Sequence, residues 1–264
     1  MQTTPDIDTA DITKRKAPRR SALPHAIALV RSFIYSVFAT SWFILVTTLG
    51  VWTVLFPPRV VRLATTFWVR GDLFLLWLIC GQRMRVIGRE NIPKGPALVA
   101  SKHQAEWETM SLLPLFDQGV VVIKKELTKI PIYGWYAKKL GMIPVDRASG
   151  AAALKQMAAD ARAAMDRGNQ LIIFPEGTRR QVGAPPDYKP GALFLYEKLK
   201  VPLVPVALNS GLLWPRHRFV RYPGTITISV MPAISPGRPR ADVKAQMIHA
   251  IETETDRLVA EATA

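Results

Sequence analysis

The chain has 264 residues, and its 35 lysine and arginine side chains outnumber its 20 aspartate and glutamate side chains, so the formal net charge is +15 at pH 7. This length predicts one large domain or two small ones, and the charge favours polyanionic partners such as nucleic acid, anionic lipid or phosphorylated substrates. The single cysteine, Cys80, excludes an internal disulfide framework and a cysteine-rich metal site.

The chain begins with a polar, basic arm at 1–24 and then has an uncharged apolar segment at 33–56. As a helix this segment would rise about 36 Å, enough to cross the hydrocarbon core of a bilayer with some tilt. Its length, and the lack of a small-residue cleavage site after it, disfavour a cleaved signal peptide. We predict a membrane-embedded helix that spans the bilayer or lies in one leaflet, with a buried core helix as the alternative. The basic flank upstream is expected to stay in the cytoplasm.

A break at 57–62 precedes a second apolar stretch at 67–80, which Arg70 and Asp72 interrupt. This stretch is more typical of a returning or interfacial helix than of a second independent span. Basic residues flank the apolar segments and do not alternate with aromatic residues in a folded domain, which favours a membrane surface over nucleic acid. We therefore predict a basic mobile arm at 1–24, a membrane-embedded helical anchor at 25–80 and a soluble domain at 81–264.

Short β-branched runs alternate with helical patterns in the soluble part. The predicted strands are 83–88, 97–101, 120–125, 142–145, 171–175, 203–208 and 225–230, and the predicted helices are 150–168, 191–200 and 241–262. Several strand runs are almost continuously apolar, as expected for strands that are covered on both faces. The pattern predicts a single α/β domain with a largely parallel or mixed sheet. Pro205 inside one run implies an edge position, a bulge or a pocket wall.

Polar residues follow three of these strands directly: His103, Arg147 and Glu176. In such folds, ligands bind beyond the carboxyl ends of the strands. We therefore expect these three side chains to emerge at the same edge of one sheet.

Four residues separate His103 from Glu108 in "SKHQAEWET". If a helix begins near Gln104, the two side chains can meet on one face, about one turn apart. A carboxylate bonded to one ring nitrogen would leave the other nitrogen free as a general base. The chain lacks a Gly-x-Ser-x-Gly elbow, so His103 would activate a substrate hydroxyl. The alternative is a histidine at a helix start beside a solvated glutamate.

Cationic residues follow two of these strand ends and one further strand end. In "FPEGTRR", Gly177 allows a close approach of backbone to ligand, and Arg179 and Arg180 offer forked donors for a phosphate. Arg147 after Asp146, and Lys125 after Lys124, lie at two more strand ends. The alternative for each is an ordinary solvated turn.

The blocks "HQAEWE", "GMIPVDR", "FPEGTR" and "VPLVPVAL", in this order within residues 83–230, resemble the four blocks of the glycerolipid acyltransferase family. Its best-known members are the 1-acyl-glycerol-3-phosphate (lysophosphatidate) acyltransferases. The apolar N-terminal pair is similar to the two-helix module of bacterial members. The family's first block usually ends in Asp where this chain has Glu108. Glu106 is the other candidate partner of His103, and spacing favours Glu108.

The resemblance implies an acyltransferase α/β domain with catalytic His103 and Glu108. It implies that the glycerol-phosphate end of a lysophospholipid is bound by a set of substrate-binding residues, namely Lys125, Arg147, Glu176, Gly177, Thr178 and Arg179. The acyl donor would be a thioester of acyl carrier protein or coenzyme A, with no metal, no other cofactor and no covalent acyl-enzyme. The location implied is the cytoplasmic face of a bacterial inner membrane.

Two alternatives remain from the sequence. The same chemistry could act on another acceptor, such as lyso-ornithine lipid or glycerol 3-phosphate. The chain could also be a non-catalytic lipid-binding or scaffold protein that keeps the fold, although retention of His103, Glu108, Glu176 and Arg179 argues against this.

Overall fold

The computed structural model describes residues 22–116, 118–146 and 150–264. Two apolar helices come first: α1 (Ala22–Gly50) and α2 (Pro58–Leu75), which continues into a π-helical turn at Leu76–Cys80. The chain breaks only around Pro57, so the prediction of a break through residue 62 and a short second helix is wrong. Pro58 begins α2 because the fixed φ of proline suits the first helical turn, where no N–H donor is required.

The two helices form an antiparallel hairpin. Near its open end, the Tyr35 hydroxyl lies 3.0 and 2.9 Å from the two carboxylate oxygens of Asp72 on α2. Further along, Trp42 Nε1 donates to the carbonyl of Trp68 at 3.0 Å. The indole of Trp42 also occupies the space beside Gly71, where an added Cβ would lie 2.5 Å from the ring. The second stretch therefore returns along the first, as predicted.

Both apolar segments, Leu23–Leu55 and Pro58–Cys80, are long and apolar enough to cross a membrane, and only 6% of the window in the first is buried inside the protein. This exposure is unlike the core helix of a soluble protein. Large apolar side chains cover the outer face of the hairpin, among them Phe33, Phe38 and Ile44.

The hairpin contacts the α/β domain at two well-separated places. Near the start of α1, the hydroxyl of Ser32 accepts a hydrogen bond of 2.7 Å from the backbone N–H of Arg221. At the other end of α1, the carbonyl of Gly50 accepts one of 2.7 Å from the hydroxyl of Tyr136. Because both ends of α1 contact one domain, the tip of the hairpin stays close to that domain.

The soluble part contains a seven-stranded sheet in the order β1-β7-β6-β2-β5-β3-β4. The strands are β1 (Gln82–Ile87), β2 (Ala97–Ser101), β3 (Gly119–Lys124), β4 (Ile143–Val145), β5 (Gln170–Ile173), β6 (Leu203–Leu208) and β7 (Gly224–Val230). Only the β6–β7 pair is antiparallel among these seven strands, and the others pair in parallel. The prediction of a mixed sheet with these seven strands is confirmed.

Helices pack on both faces of the sheet. They are α3 (Trp107–Ser111), α4 (Tyr133–Leu140), α5 (Gly150–Asp166), α6 (Gly191–Leu199), α7 (Ser210–Leu213) and α8 (Arg240–Thr263). Alternate residues of one strand belong to different cores: Leu98 joins one hydrophobic cluster and Val99 the other. Coverage on both faces is the reason for the continuous apolar runs. The sequence predicted α5, α6 and α8 but missed α4, which is short and contains Gly134.

Pro205 lies in an interior strand, so an edge position is wrong. On the antiparallel side, the four residues of β6 from Leu203 to Val206 face five residues, from Val230 to Ile234. This shift of register is a bulge, and the carbonyl of Pro205 accepts from Met231 N at 3.0 Å. A proline is tolerated there because the ladder is already interrupted.

Candidate active site

The carboxyl ends of β2, β5 and β6 lie at one edge, because these three neighbouring strands are parallel. The loop after β2 carries His103, the turn after β5 carries Glu176, and Ser210 follows β6. Hydrogen bonds join all three segments. His103 and Glu176 thus meet at one edge, as the sequence predicted.

His103 and Glu108 are in contact. Nδ1 of the imidazole lies 3.0 Å from Oε1 of Glu108. The route to this contact differs from the prediction, since α3 begins only at Trp107 and not near Gln104. His103 belongs to the preceding loop, which folds over the first turn of the helix, so the longer glutamate reaches it without a shared helical face.

Glu108 is fully buried, with 0% of its side chain exposed. Its Oε1 also accepts hydrogen bonds from the backbone N–H groups of Gln104 at 2.6 Å and Ala105 at 2.7 Å. Its Oε2 accepts one of 2.9 Å from the hydroxyl of Ser210. A carboxylate oxygen that already receives two N–H donors acts as an acceptor toward the ring, so Nδ1 donates and the lone pair is on Nε2.

The plane of the imidazole is set by Phe174, which follows β5. The two rings stack with centroids 4.1 Å apart and planes inclined by 22°. The His103 side chain is 13% exposed, which leaves part of the ring accessible. Glu108 holds Nδ1 of the ring and Phe174 covers one of its faces, while Nε2 stays free to accept a proton. This arrangement suits a general base.

Glu176 is also fully buried, and its carboxylate points into the protein. Oε2 accepts a hydrogen bond of 3.0 Å from the backbone N–H of His103, and Oε1 accepts one of 2.8 Å from Nζ of Lys102. Burial raises the pKa of Glu176, while Lys102 and the His103 N–H oppose that rise. The carboxylate therefore holds the His103 loop, and any part it takes in substrate binding acts through that loop.

The rest of the "FPEGTRR" turn supports the same loop. Gly177 adopts φ +66°, a conformation that favours glycine. The backbone N–H of Arg180 donates to the carbonyl of His103 at 2.7 Å. Arg179 forms an ion pair with Glu106, while Thr178 is exposed. Of the two candidate acids, Glu108 is thus the partner of His103, and Glu106 pairs with Arg179.

The family's sequence profile, described as acyltransferase, matches residues 83–209. A 1-acyl-sn-glycerol-3-phosphate acyltransferase of Pseudomonas aeruginosa is 37% identical over 173 residues, which are 66% of this chain and 67% of that protein. Another, from Limnanthes douglasii, is 30% identical over 75% of this chain and 69% of its own. The chain belongs to the acyltransferase family. A crystal structure of the Thermotoga maritima 1-acyl-sn-glycerophosphate (LPA) acyltransferase, PlsC, has the same fold, with a TM-score of 0.73 at 20% identity, covering 89% of this chain and 98% of that one.

One further cation that the sequence assigns to this acyltransferase site lies along the same edge. Lys125 follows β3, two strands from β2, or roughly 10 Å along the sheet. Its Nζ is 3.4 Å from the carboxylate of Asp146, which follows β4, and its side chain is well exposed. Arg147 lies outside the described residues.

Sequence reasoning missed three residues that shape this acyltransferase site: Lys102, Phe174 and Ser210. Lys102 ends an apolar strand run, which is an unusual place for a buried lysine, and Ser210 follows β6 at the same edge as His103. Both positions could have been found from the rule that functional groups collect beyond strand ends. Phe174 gave no signal of its own, because a phenylalanine after an apolar strand is ordinary core.

A cavity of about 470 Å³ lies where the hairpin meets β1, and it does not include His103. Its lining is mostly apolar, and the residues are Arg70, Leu73, Phe74, Leu76, Trp77, Gln82, Arg83, Met84 and Trp107. Within the described ranges, no group of three or more His, Cys, Asp or Glu side chains is arranged to hold a metal ion.

Proposed function

We propose that this acyltransferase moves a fatty acyl group from an acyl thioester to the free hydroxyl of 1-acyl-glycerol-3-phosphate, giving phosphatidate. The observation that carries the proposal is the 3.0 Å contact between His103 and the buried Glu108, beside a turn that bears Arg179. The names of the relatives in Pseudomonas and Limnanthes support lysophosphatidate as the acceptor.

In this reaction, Nε2 of His103 takes the proton of the acceptor hydroxyl as its oxygen attacks the thioester carbonyl. A C–O bond forms, the C–S bond breaks, and the imidazolium returns the proton to the departing thiolate. Glu108 holds the ring and stabilises the imidazolium. A thioester is already activated, so positioning and one proton transfer supply much of the catalysis, and we propose no metal and no covalent acyl-enzyme.

The phosphate of the acceptor is assigned to the guanidinium of Arg179, which is 27% exposed. Glu106 competes for that group in the absence of ligand, and a dianionic phosphate offers a stronger bidentate partner. Gly177 lets the backbone approach the ligand, with Thr178 beside it. Lys125 and Arg147 are assigned to the same anion from neighbouring strand ends.

The donor is proposed to be an acyl thioester of acyl carrier protein or coenzyme A. Both carriers are polyanionic, and the net charge of +15 favours their encounter with this chain. Six of the nine residues that line the cavity between the hairpin and β1 are apolar, and one of them, Trp107, lies four positions after His103, so the cavity is assigned to part of a lipid chain.

An acceptor panel tests the assignment of the phosphate. With Arg179→Gln, the KM for lysophosphatidate should rise about tenfold or more, since a hydrogen bond to a charged group contributes roughly 1.5–3 kcal/mol. Initial rates with lysophosphatidate, glycerol 3-phosphate and a lyso-ornithine lipid measure this. Arg167→Gln, an exposed arginine that precedes β5 and so lies at the end of that strand opposite the turn, is the control. If the lyso-ornithine lipid outperformed lysophosphatidate with the unsubstituted enzyme, the phosphate assignment would be wrong.

We propose that the hairpin lies within one leaflet at the cytoplasmic face of a bacterial inner membrane. Both ends of α1 contact the same domain, which a helix crossing to the far side of the bilayer would not do.

Labelling of an introduced cysteine tests this placement. Leu55 is 81% exposed at the hairpin tip, and Cys80 is buried, so background labelling is low. In sealed vesicles with the domain inside, an impermeant thiol reagent added outside should leave Leu55→Cys unmodified until detergent is added. Lys244→Cys on α8 serves as the domain control. Labelling of residue 55 alone, without detergent, would show that the hairpin spans the bilayer.

A further inference from the structure

A lysine is buried directly before the catalytic histidine. Lys102 is only 3% exposed, and its Nζ lies 2.8 Å from Oε1 of Glu176 and 2.7 Å from Oε1 of Glu252 on α8. Its Nζ also lies 6.0 Å from the ring centroid of Tyr188. A buried ammonium is costly unless it is paired, and here two carboxylates pair with it.

These contacts form a chain that leads to His103. Glu176 uses one oxygen for Lys102 and the other for the backbone N–H of His103, at 3.0 Å. Glu252 accepts a second hydrogen bond, of 2.7 Å, from the hydroxyl of Tyr188. We call Lys102, Glu176, Tyr188 and Glu252 the Lys102 network. It connects the C-terminal helix to the catalytic loop through charged contacts that lie inside the protein.

We propose that Lys102 and Glu252 are positioning residues for acyl transfer: they act as opposed charges on Glu176, which in turn holds the backbone of His103. Lys102 favours the charged carboxylate that accepts the His103 N–H. Glu252 anchors Lys102 and at the same time repels that carboxylate. This inference rests on the proposed role of His103 as general base.

Lys102 and Glu252 shift the pKa of Glu176 in opposite directions, so an experiment can distinguish their effects. Burial raises the pKa of Glu176, Lys102 lowers it by its charge and hydrogen bond, and Glu252 raises it. The other groups facing it are the His103 N–H and Tyr188. Burial and Glu252 raise the pKa of Tyr188, so its hydroxyl stays protonated and acts as a donor. Removal of Lys102 therefore raises the pKa of Glu176 further, and removal of the Glu252 charge lowers it.

Two variants with opposite expected shifts test the proposal. For Lys102→Met, the acid limb of the profile of kcat against pH should move to higher pH. At neutral pH, kcat should fall roughly 10- to 100-fold, because His103 is no longer held in place. For Glu252→Gln, the limb should move to lower pH. In both, the KM for lysophosphatidate should change little, because the guanidinium of Arg179 pairs with Glu106 and not with either of these residues. Glu254→Gln is the matched control on the same helix, where Glu254 pairs with the exposed Arg257 and does not contact Lys102, and its profile should match that of the unsubstituted enzyme.

Lys102→Arg, which keeps the cation, should move the limb back toward its original position. Thermal unfolding of each variant separates loss of folded protein from loss of rate. If Lys102→Met does not fold, Glu252→Gln still decides, since a purely structural role predicts no shift of the limb to lower pH. Shifts in the same direction, or none, would overturn the inference. If the unsubstituted protein acylates no acceptor, the proposed function fails, which is a different result.

Discussion

His103→Ala is expected to lower kcat for acyl transfer roughly 10²- to 10⁴-fold, the range that general acid–base catalysis contributes. The substitution removes the proposed general base while keeping the loop's backbone contacts to Glu176 and Arg180. The KM for lysophosphatidate should change far less than kcat. Release of thiol from an acyl thioester, followed with purified membranes, measures both constants.

The matched control is His249→Ala, since His249 is an exposed histidine on α8. It should retain full activity. The His103→Ala protein should still partition with membranes, because the hairpin is unchanged. Full activity of this variant would disprove the assigned chemistry, and loss of both activity and membrane partitioning would instead point to misfolding.

Glu108→Gln is expected to lower kcat by a comparable factor. Glu108 accepts from His103 Nδ1, from two backbone N–H groups and from Ser210, and a glutamine must turn an NH₂ group toward some of these donors. The ring then loses its partner and the charge that stabilises the imidazolium. By comparison with the acid-to-amide change in serine protease triads, kcat should fall about 10³- to 10⁴-fold.

The same substitution should lower the free energy of unfolding by about 1–3 kcal/mol, the cost of unpaired buried polar groups. Chemical denaturation measures this, and kcat is measured with the thioester assay. Glu90→Gln, at an exposed 3-10 turn, is the control for an acid-to-amide change and should alter neither quantity. A Glu108→Gln enzyme with normal kcat would mean that the acid only supports the loop.

The strands could be read from the sequence because their apolar runs are local. Residues 97–101 and 203–208 are buried on both faces, so every side chain in them had to be apolar or small, and the boundaries match β2 and β6. The second apolar helix was misjudged because Arg59, Arg62 and Arg70 interrupt its hydropathy. Its Arg62 donates to the carbonyl of Gly119 at 2.9 Å, a contact with a distant strand that local composition does not reveal.

The choice between Glu106 and Glu108 shows the limit of spacing arguments. Spacing favoured Glu108 for a helix that begins near Gln104, but the helix begins at Trp107. Glu108 is the partner for another reason: its carboxylate turns back over the loop and collects the N–H groups of Gln104 and Ala105. Loop geometry of this kind depends on the strands and turns around it.

The α/β class, the seven strands, the apolar hairpin and the pairing of His103 with a nearby acid could all be predicted from the sequence, because each depends on residues close together in the chain. The contacts that hold the His103 loop are visible only in the folded protein. Lys102 and Glu252 are 150 positions apart, and Glu108 and Ser210 are 102 apart. Such pairs are brought together by the order of the strands in the sheet. The partner of a buried charge cannot be predicted from the periodicity of the sequence, because the two residues are far apart in the chain.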